Sequence, residues 1–308
     1  MTRPFRFGAQ LWTAPSRAAW RDKVKKVEDL GYDVVVVADH FGEGVAPMQG
    51  LTAAADASSK LRLGTLVLDN DFRHPVVLAR EVAALDVLSD GRFELGLGAG
   101  WLGRDYERSG LSFDPPPVRV ERLEESLEIV TRALGGESVS FSGKHYEVSD
   151  FEVHPKPIQD PLPVMVGAGG RRMLRLAAEH ADIIGILPLA KADGSGLSEN
   201  EQSESAFMRK IEFLGSAAGE RFGEIELNLL VQAVEIADDE RAAAEKLAAE
   251  WEEPVDPILD MPFVLVGPVP AIVEKVRRLR EELGFSYLTF FEKDFERFAP
   301  MLADLRGT

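Results

Sequence analysis

Val34-Val35-Val36-Val37-Ala38-Asp39-His40 is the stretch on which the reading of this chain turns. The apolar run between Gly31 and Gly42 reads as a strand buried on both faces, as in a parallel sheet covered by helices. The pair Asp39-His40 leaves the core at the C-terminal end of that strand, where parallel α/β folds place their ligand sites. Taken alone, such a pair reads more simply as a turn cap beside a surface histidine. The ends of the other strands shift that balance.

Working outward, the first strand runs from Phe5 to Leu11, with Trp12 just beyond it. A helix from about Arg17 to Leu30 follows, with Trp20, Val24 and Val27 on one face and Gly31 as its C-cap signal. A second helix, from about Pro47 to Ser59, leads into the third strand, Leu61 to Leu68. Pro75 then opens a helix, and Asp90-Gly91 stops it. The fourth strand, Phe93 to Leu97, runs into Gly98-Ala99-Gly100-Trp101, and the next helical pattern starts near Arg119. Residues of about 136–161, including Phe141 to Tyr146, read as a hairpin-like insertion between the fourth helix and the fifth strand. Pro163 to Val166 is the fifth strand, followed by Gly167-Ala168-Gly169-Gly170-Arg171-Arg172 and a helix to about His180. Asp182 to Leu187, Glu226 to Ile236 and Tyr287 to Phe291 complete the strands, with helices at about 240–252 and 270–283. The polar segment Ala190 to Ser205 reads either as a mobile loop over a site or as a solvated linker.

Strands alternating with helices in this way predict an α/β fold, a (β/α)8 TIM barrel formed by residues 1–308 as one domain. An open doubly wound sheet is the alternative. An internal echo favours closure: Glu28-Asp29-Leu30-Gly31-Tyr32 before the second strand matches Glu281-Glu282-Leu283-Gly284-Phe285 before the eighth.

Composition narrows the class. The 308 residues are 45% hydrophobic, which suffices for a large core. A formal net charge of −17 repels nucleic acid and anionic membranes, leaving a small-molecule substrate as the expected partner. No run is long enough to span a bilayer, and Met1 to Phe5 show no signal-peptide pattern. The absence of cysteine fits the cytoplasm and excludes thiol chemistry.

The strand ends carry the chemistry. Gly167 to Gly170 enter a helix whose first residues are Arg171 and Arg172, a ready anion site or else a flexible turn with solvated arginines. Gly98-Ala99-Gly100-Trp101-Leu102-Gly103 matches a dinucleotide fingerprint in form, but it follows the fourth strand and is discounted. There is no Gly-x-Ser-x-Gly elbow, and His40, His74, His145, His154 and His180 lack metal-ligand spacing. His74, before Pro75, reads as a loop or cap residue, and His180 as a helix C-terminal one. His40 is the histidine placed for proton transfer.

Val37-Ala38-Asp39-His40, Leu63-Gly64-Thr65 with Leu66-Val67-Leu68, Gly96 to Trp101 and Pro163 to Gly170 together resemble the bacterial luciferase-like family. The likeness runs from Phe5 to about Leu305 and is strongest to the branch using the deazaflavin coenzyme F420. The resemblance implies a TIM barrel with the deazaflavin at its C-terminal face. Asp39 would then bond the ring system, and the Leu66-Val67 peptide would be cis and back the ring. Gly98 and Ala99 would line the cofactor, Gly167, Ala168, Gly169, Gly170 and Arg171 would hold its phosphate, and His40 would act as acid or base. The sugar-phosphate dehydrogenase branch carries a Trp after the Asp-His pair and a Glu after the strand-four glycines, where this chain has Gly44 and Trp101. That departure argues against glucose-6-phosphate and suggests an apolar substrate face built partly from Trp12 and Trp101. Arg73, Arg104 or Arg108 would offset the acidic background for an acidic coenzyme tail. The resemblance also suggests a homodimer. The expected function is hydride transfer between F420 and an organic substrate. The alternatives are an FMN-dependent monooxygenase and a non-catalytic flavin-binding barrel.

Overall fold

The computed structural model describes residues 3–306; the part of the N-terminal reading that falls on Met1 and Thr2 lies outside the described residues. The barrel strands are β1 (Arg6–Gln10), β2 (Val34–Val37), β3 (Arg62–Thr65), β4 (Phe93–Gly98), β5 (Val164–Ala168), β6 (Ile183–Ile186), β7 (Glu226–Val231) and β8 (Phe285–Phe291). Each pairs in parallel with its neighbour in sequence, and β8 returns to β1 with Gly8 opposite Thr289. The closed (β/α)8 barrel is therefore present, and the open-sheet alternative is excluded. The outer layer is α1 (Arg17–Asp29), α2 (Pro47–Ala57), α3 (Pro75–Leu88), α4 (Pro116–Leu134), α5 (Arg171–His180), α6 (Glu204–Ala218), α7 (Glu240–Trp251) and α8 (Val269–Leu283).

Strand alternation sorts the side chains into two cores. Phe7, Ala9, Val35, Val37, Leu95 and Leu97 pack outward against the helices. Val34, Val36, Leu66, Met165, Ile183 and Tyr287 form a separate cluster inside the barrel. Fully burying each larger apolar side chain contributes roughly 1.5–3 kcal/mol. Below that inner cluster, Arg6 spans the barrel bottom, 2.5 Å from Glu94 and 2.6 Å from Glu226. Arg62 also bonds Glu94.

β3 is interrupted where the site is built. The Leu66-Val67 peptide is cis, and pairing to β4 resumes at Leu68 and Asp69, opposite Leu97 and Gly98. Thr65 Oγ1 fills the gap in the ladder. It donates to the Gly96 carbonyl at 2.9 Å and accepts from the Gly96 N–H at 2.8 Å.

Three features differ from the sequence expectation. The seventh strand ends at Val231 rather than Ile236. Gln232 N–H turns to the Phe263 carbonyl, and Ala233–Ile236 pairs with Val264–Gly267 in a separate two-stranded sheet. The fourth outer helix starts at Pro116 instead of about Arg119, because the proline-rich start supplies helix-compatible backbone. A short helix, Gly103–Ser109, also precedes it. The insertion does contain an antiparallel hairpin, Val139–Ser142 with Glu147–Phe151. Among the described residues no helix is long and apolar enough to cross a membrane.

Candidate active site

At the C-terminal mouth, the inward positions of β4 and β5 are glycines, and Val67 covers them. A Cβ at Gly98 would come within 2.8 Å of Val67 Cγ2, one at Gly96 within 1.8 Å of the Thr65 carbonyl oxygen, and one at Gly167 within 3.4 Å of Val67. The result is a ledge poor in side chains, with Leu66 and Val67 on one side of it. A planar ring suits such a surface, since the glycines add no side chains beyond Val67. Ala99 and Ala168 follow the alternation outward: both pack with the outer core, so only their backbone borders the mouth. The Ala99 carbonyl is occupied by Arg119 Nε at 3.2 Å.

Asp39 and His40 diverge at the end of β2. Asp39 is buried and held by Arg73 Nη1 at 2.5 Å, with the Asp69 N–H donating to it at 3.3 Å. His40 is 30% exposed at the mouth, and its Nδ1 lies 2.6 Å from Oδ2 of the nearly fully buried Asp105. Asp105 Oδ1 also accepts from the Phe41 N–H at 3.3 Å. The ring of His40 lies between two indoles, 6.1 Å from Trp12 and 5.9 Å from Trp101, the latter edge-on. Trp12 lies just after β1 and packs on the loop after β2, where a Cβ at Gly44 would meet its ring at 2.7 Å. Glu292, at the end of β8, anchors Trp12 by accepting from its N–H at 2.6 Å. Burial opposes the charge on Glu292, but Lys23 and the Trp12 and Thr13 amides hold its carboxyl below the usual range.

Sequence reasoning brought His40, Asp39, Trp12 and Trp101 to this mouth but missed Asp105 and Glu292. Of the arginines proposed to offset the acidic field, Arg73 is committed to Asp39, Arg108 donates to the Phe41 carbonyl at 2.9 Å, and Arg104 is exposed.

Behind Asp39 lies a second carboxylate cluster. Asp69 accepts from the Tyr106 hydroxyl at 3.0 Å and from the Asp71 N–H at 2.9 Å, while Arg122 pairs with Asp71 at 2.8 Å. Burial, then the charges of Asp71 and Asp39, push the Asp69 carboxyl up from 3.8 to about 7. An acid whose pKa is raised on folding adds stability while protonated and loses that contribution as pH rises through the raised value. Asp69→Asn should therefore flatten the decline in melting temperature between about pH 4 and about pH 7. An unchanged slope across that window would assign the titration to another group.

On the far side of the ledge, Gly169 and Gly170 lead into α5, whose N-cap makes no side-chain cap bond, so its first-turn amides have no intrahelical partner. The two arginines there are engaged elsewhere. Arg171 lies over the Phe213 ring at 5.0 Å, and Arg172 reaches the Pro117 carbonyl at 3.2 Å and Glu124 at 3.3 Å. The turn thus offers amides and the helix dipole, with its guanidinium groups turned away.

Comparison with known proteins places this architecture. The chain is 32% identical over 165 residues to the F420-dependent glucose-6-phosphate dehydrogenase of Amycolatopsis mediterranei (strain U-32), covering 51% of this chain and 49% of that one. The matched stretch is thus about half the length of that dehydrogenase. It is 26% identical over 291 residues to the 5,10-methylenetetrahydromethanopterin reductase of Methanopyrus kandleri, covering 90% of this chain and 78% of that one. Among solved structures, the coenzyme F420 dependent tetrahydromethanopterin reductase from Methanopyrus kandleri superposes with a TM-score of 0.79 at 20% identity, covering 99% of each chain. The sequence profile of the luciferase-like monooxygenase family matches residues 1–264, and with the barrel closed the chain belongs to that family.

Proposed function

We propose that this protein is an F420-dependent oxidoreductase that moves a hydride between the deazaflavin and a neutral, largely apolar alcohol or carbonyl compound. The observation that carries the reading is the His40–Asp105 pair, 2.6 Å apart between two indoles and beside the glycine ledge. An F420-dependent dehydrogenase among the relatives and a coenzyme F420 dependent reductase among the structures of the same fold support the choice of cofactor.

Gly96, Gly98, Gly167 and Val67 suit a flat ring, and the Gly169–Gly170 turn with the α5 amides suits a phosphate. Leu66, Ala99, Ala168 and Arg171 border these surfaces, the two alanines through backbone alone. Asp39, steadied by Arg73, keeps acceptor capacity for a ring N–H. When bound, a deazaflavin supplies a two-electron hydride acceptor or donor. The protein supplies the proton. Asp105 accepts the Nδ1–H of His40, which leaves Nε2 free to take a hydroxyl proton from an alcohol or return it to a carbonyl oxygen. Trp12 and Trp101 flank that nitrogen's ring and shield the exchange from water. They offer contact area and no charge, which suits an apolar substrate better than a sugar phosphate.

The test is parallel titration of the purified protein with F420 and with FMN, followed by fluorescence quenching. The expected result is F420 binding at least about tenfold tighter than FMN, roughly 1.4 kcal/mol. FMN preference with oxygen consumption would move the protein to the monooxygenase reading, and binding of neither would remove both.

A homodimer belongs to the same proposal. Val77 and Leu88, three turns apart on the same face of α3, are 49% and 65% exposed. Light scattering should give twice the chain mass, and Val77→Glu with Leu88→Glu should halve it. A monomeric starting protein would end this part of the proposal.

A further inference from the structure

Residues 188–198 leave the end of β6 and cross over the Gly169–Gly170 turn. A Cβ on Gly169 would stand 2.7 Å from the Pro188 carbonyl oxygen, and one on Gly170 3.1 Å from Leu189 Cδ1. The segment folds back on itself through a bridge between Ala190 and Leu197. Lys191 N–H donates to Gly196 O at 2.8 Å, and Gly194 N–H to Lys191 O at 3.0 Å. Its tip lands on the opposite rim, where Gly103 N–H donates to Gly194 O at 3.2 Å.

The fit at that point admits only glycine. Gly194 has φ +72°, and a Cβ there would lie 2.5 Å from Gly103 N and 2.8 Å from Phe113 Cζ. Phe113 is itself fixed between Tyr106 and the Arg119 guanidinium, so the notch has a rigid wall. Gly103 is the first residue of the short helix Gly103–Ser109, and Asp105 stands two positions on, with its N–H on the Leu102 carbonyl at 3.0 Å. The tip therefore presses on the turn that aims Asp105 at His40.

We propose that residues 188–198 are a latch: by seating Gly194 on Gly103 they position the Asp105–His40 pair while covering the glycine turn before α5. The catalytic meaning of the latch rests on the reading of His40 as the proton-transfer group. In this scheme Gly194 is a positioning residue acting through Asp105. One contact thus sets the cover of the glycine turn and the proton-transfer geometry together.

The test uses full-length protein labelled with ¹⁵N in its histidine rings, the His40 signals being assigned by their loss in His40→Gln. In the unaltered protein, the nitrogen shifts should report an Nδ1-protonated His40. Gly194→Ala and the bulkier Gly194→Val should move those shifts towards a mixture of tautomers. Both should also speed protease cleavage within 188–198 by about tenfold, with circular dichroism unchanged. Ala192→Ser, exposed on the same segment and outside the notch, should alter neither readout. Faster cleavage with unmoved His40 signals would overturn the proposal, reducing the segment to a cover. Unmoved signals with unchanged cleavage would also overturn it. F420 titration of the same samples separates the two ideas. Moved signals in a protein that binds neither F420 nor FMN would uphold the latch and remove the cofactor reading. F420 binding with unmoved signals would remove the latch alone.

Discussion

Replacing Asp105 with Asn should lower turnover by about tenfold to a hundredfold and leave cofactor affinity within about twofold. The expectation follows from one distance and one burial. Asp105 Oδ2 is 2.6 Å from His40 Nδ1, and the carboxylate is only 3% exposed, so the bond is shielded from competing water. A carboxylate can only accept there, which keeps the histidine proton on Nδ1 and leaves Nε2 as the exchanging atom. The Asn amide can present its NH₂ instead, and the ring then carries its proton on the wrong nitrogen. His40→Gln removes the exchanging atom altogether and should cost about 10²–10⁴-fold. The measurement is the steady-state absorbance change of the deazaflavin with whichever alcohol or carbonyl compound supports turnover. The loss should fall in kcat with KM nearly constant, and Asp105→Glu should recover part of it. Full activity in Asp105→Asn would show that His40 needs no partner, and full activity in His40→Gln would remove proton transfer from this residue.

The barrel was legible because its signals are strong and local: short apolar runs, a proline opening α3, glycine after α1 and α8. Val34 to His40 showed both the strand and the pair at its end. Asp105 was hidden for a physical reason. It lies on a seven-residue helix with no apolar repeat, entered through Gly103, and its partner is 65 residues away. The available signal was the pair Asp105-Tyr106 in an otherwise polar stretch just after a strand end; both are buried.

What the sequence does not carry is the direction of long side chains and the choice of strand partner. Arg171 and Arg172 stand at a helix N-terminus as expected, yet their guanidinium groups find Phe213, Glu124 and a carbonyl within reach. Sequence gives their charge and the length of their reach, not the partner they settle on. The run from Glu226 to Ile236 is similarly blind to its break at Gln232. Both halves have strand character, and only the position of Phe263 in space decides that the second half leaves the barrel.

The opposite end of the barrel should respond to mutation through stability alone. Arg6→Met should destabilise the protein by about 3–5 kcal/mol, because it strands the buried Glu226 carboxylate and takes from buried Glu94 one of its two cations. Glu94 is 5% and Glu226 8% exposed, and Arg6 reaches them at 2.5 and 2.6 Å while its guanidinium lies 4.6 Å from the Tyr287 ring centroid. Burial opposes the charge on Arg6, yet Glu94, with Tyr287 and Glu226, holds its pKa above the ordinary value. Burial likewise raises the Glu226 carboxyl, the mark of an acid that relies on its partner. Arg62 would still serve Glu94, so the larger share of the loss belongs to Glu226. The double variant Arg6→Met with Glu226→Leu should accordingly regain at least half of the loss, since an apolar pair has no stranded charge. Thermal unfolding is the readout, with a fall of roughly 5–10 °C expected for the single variant. Cofactor binding at the far end should be unaffected in whatever fraction remains folded. A single variant within about 1 °C of the starting protein, or a double variant no better than the single, would show that the bottom ring is not a coupled buried network.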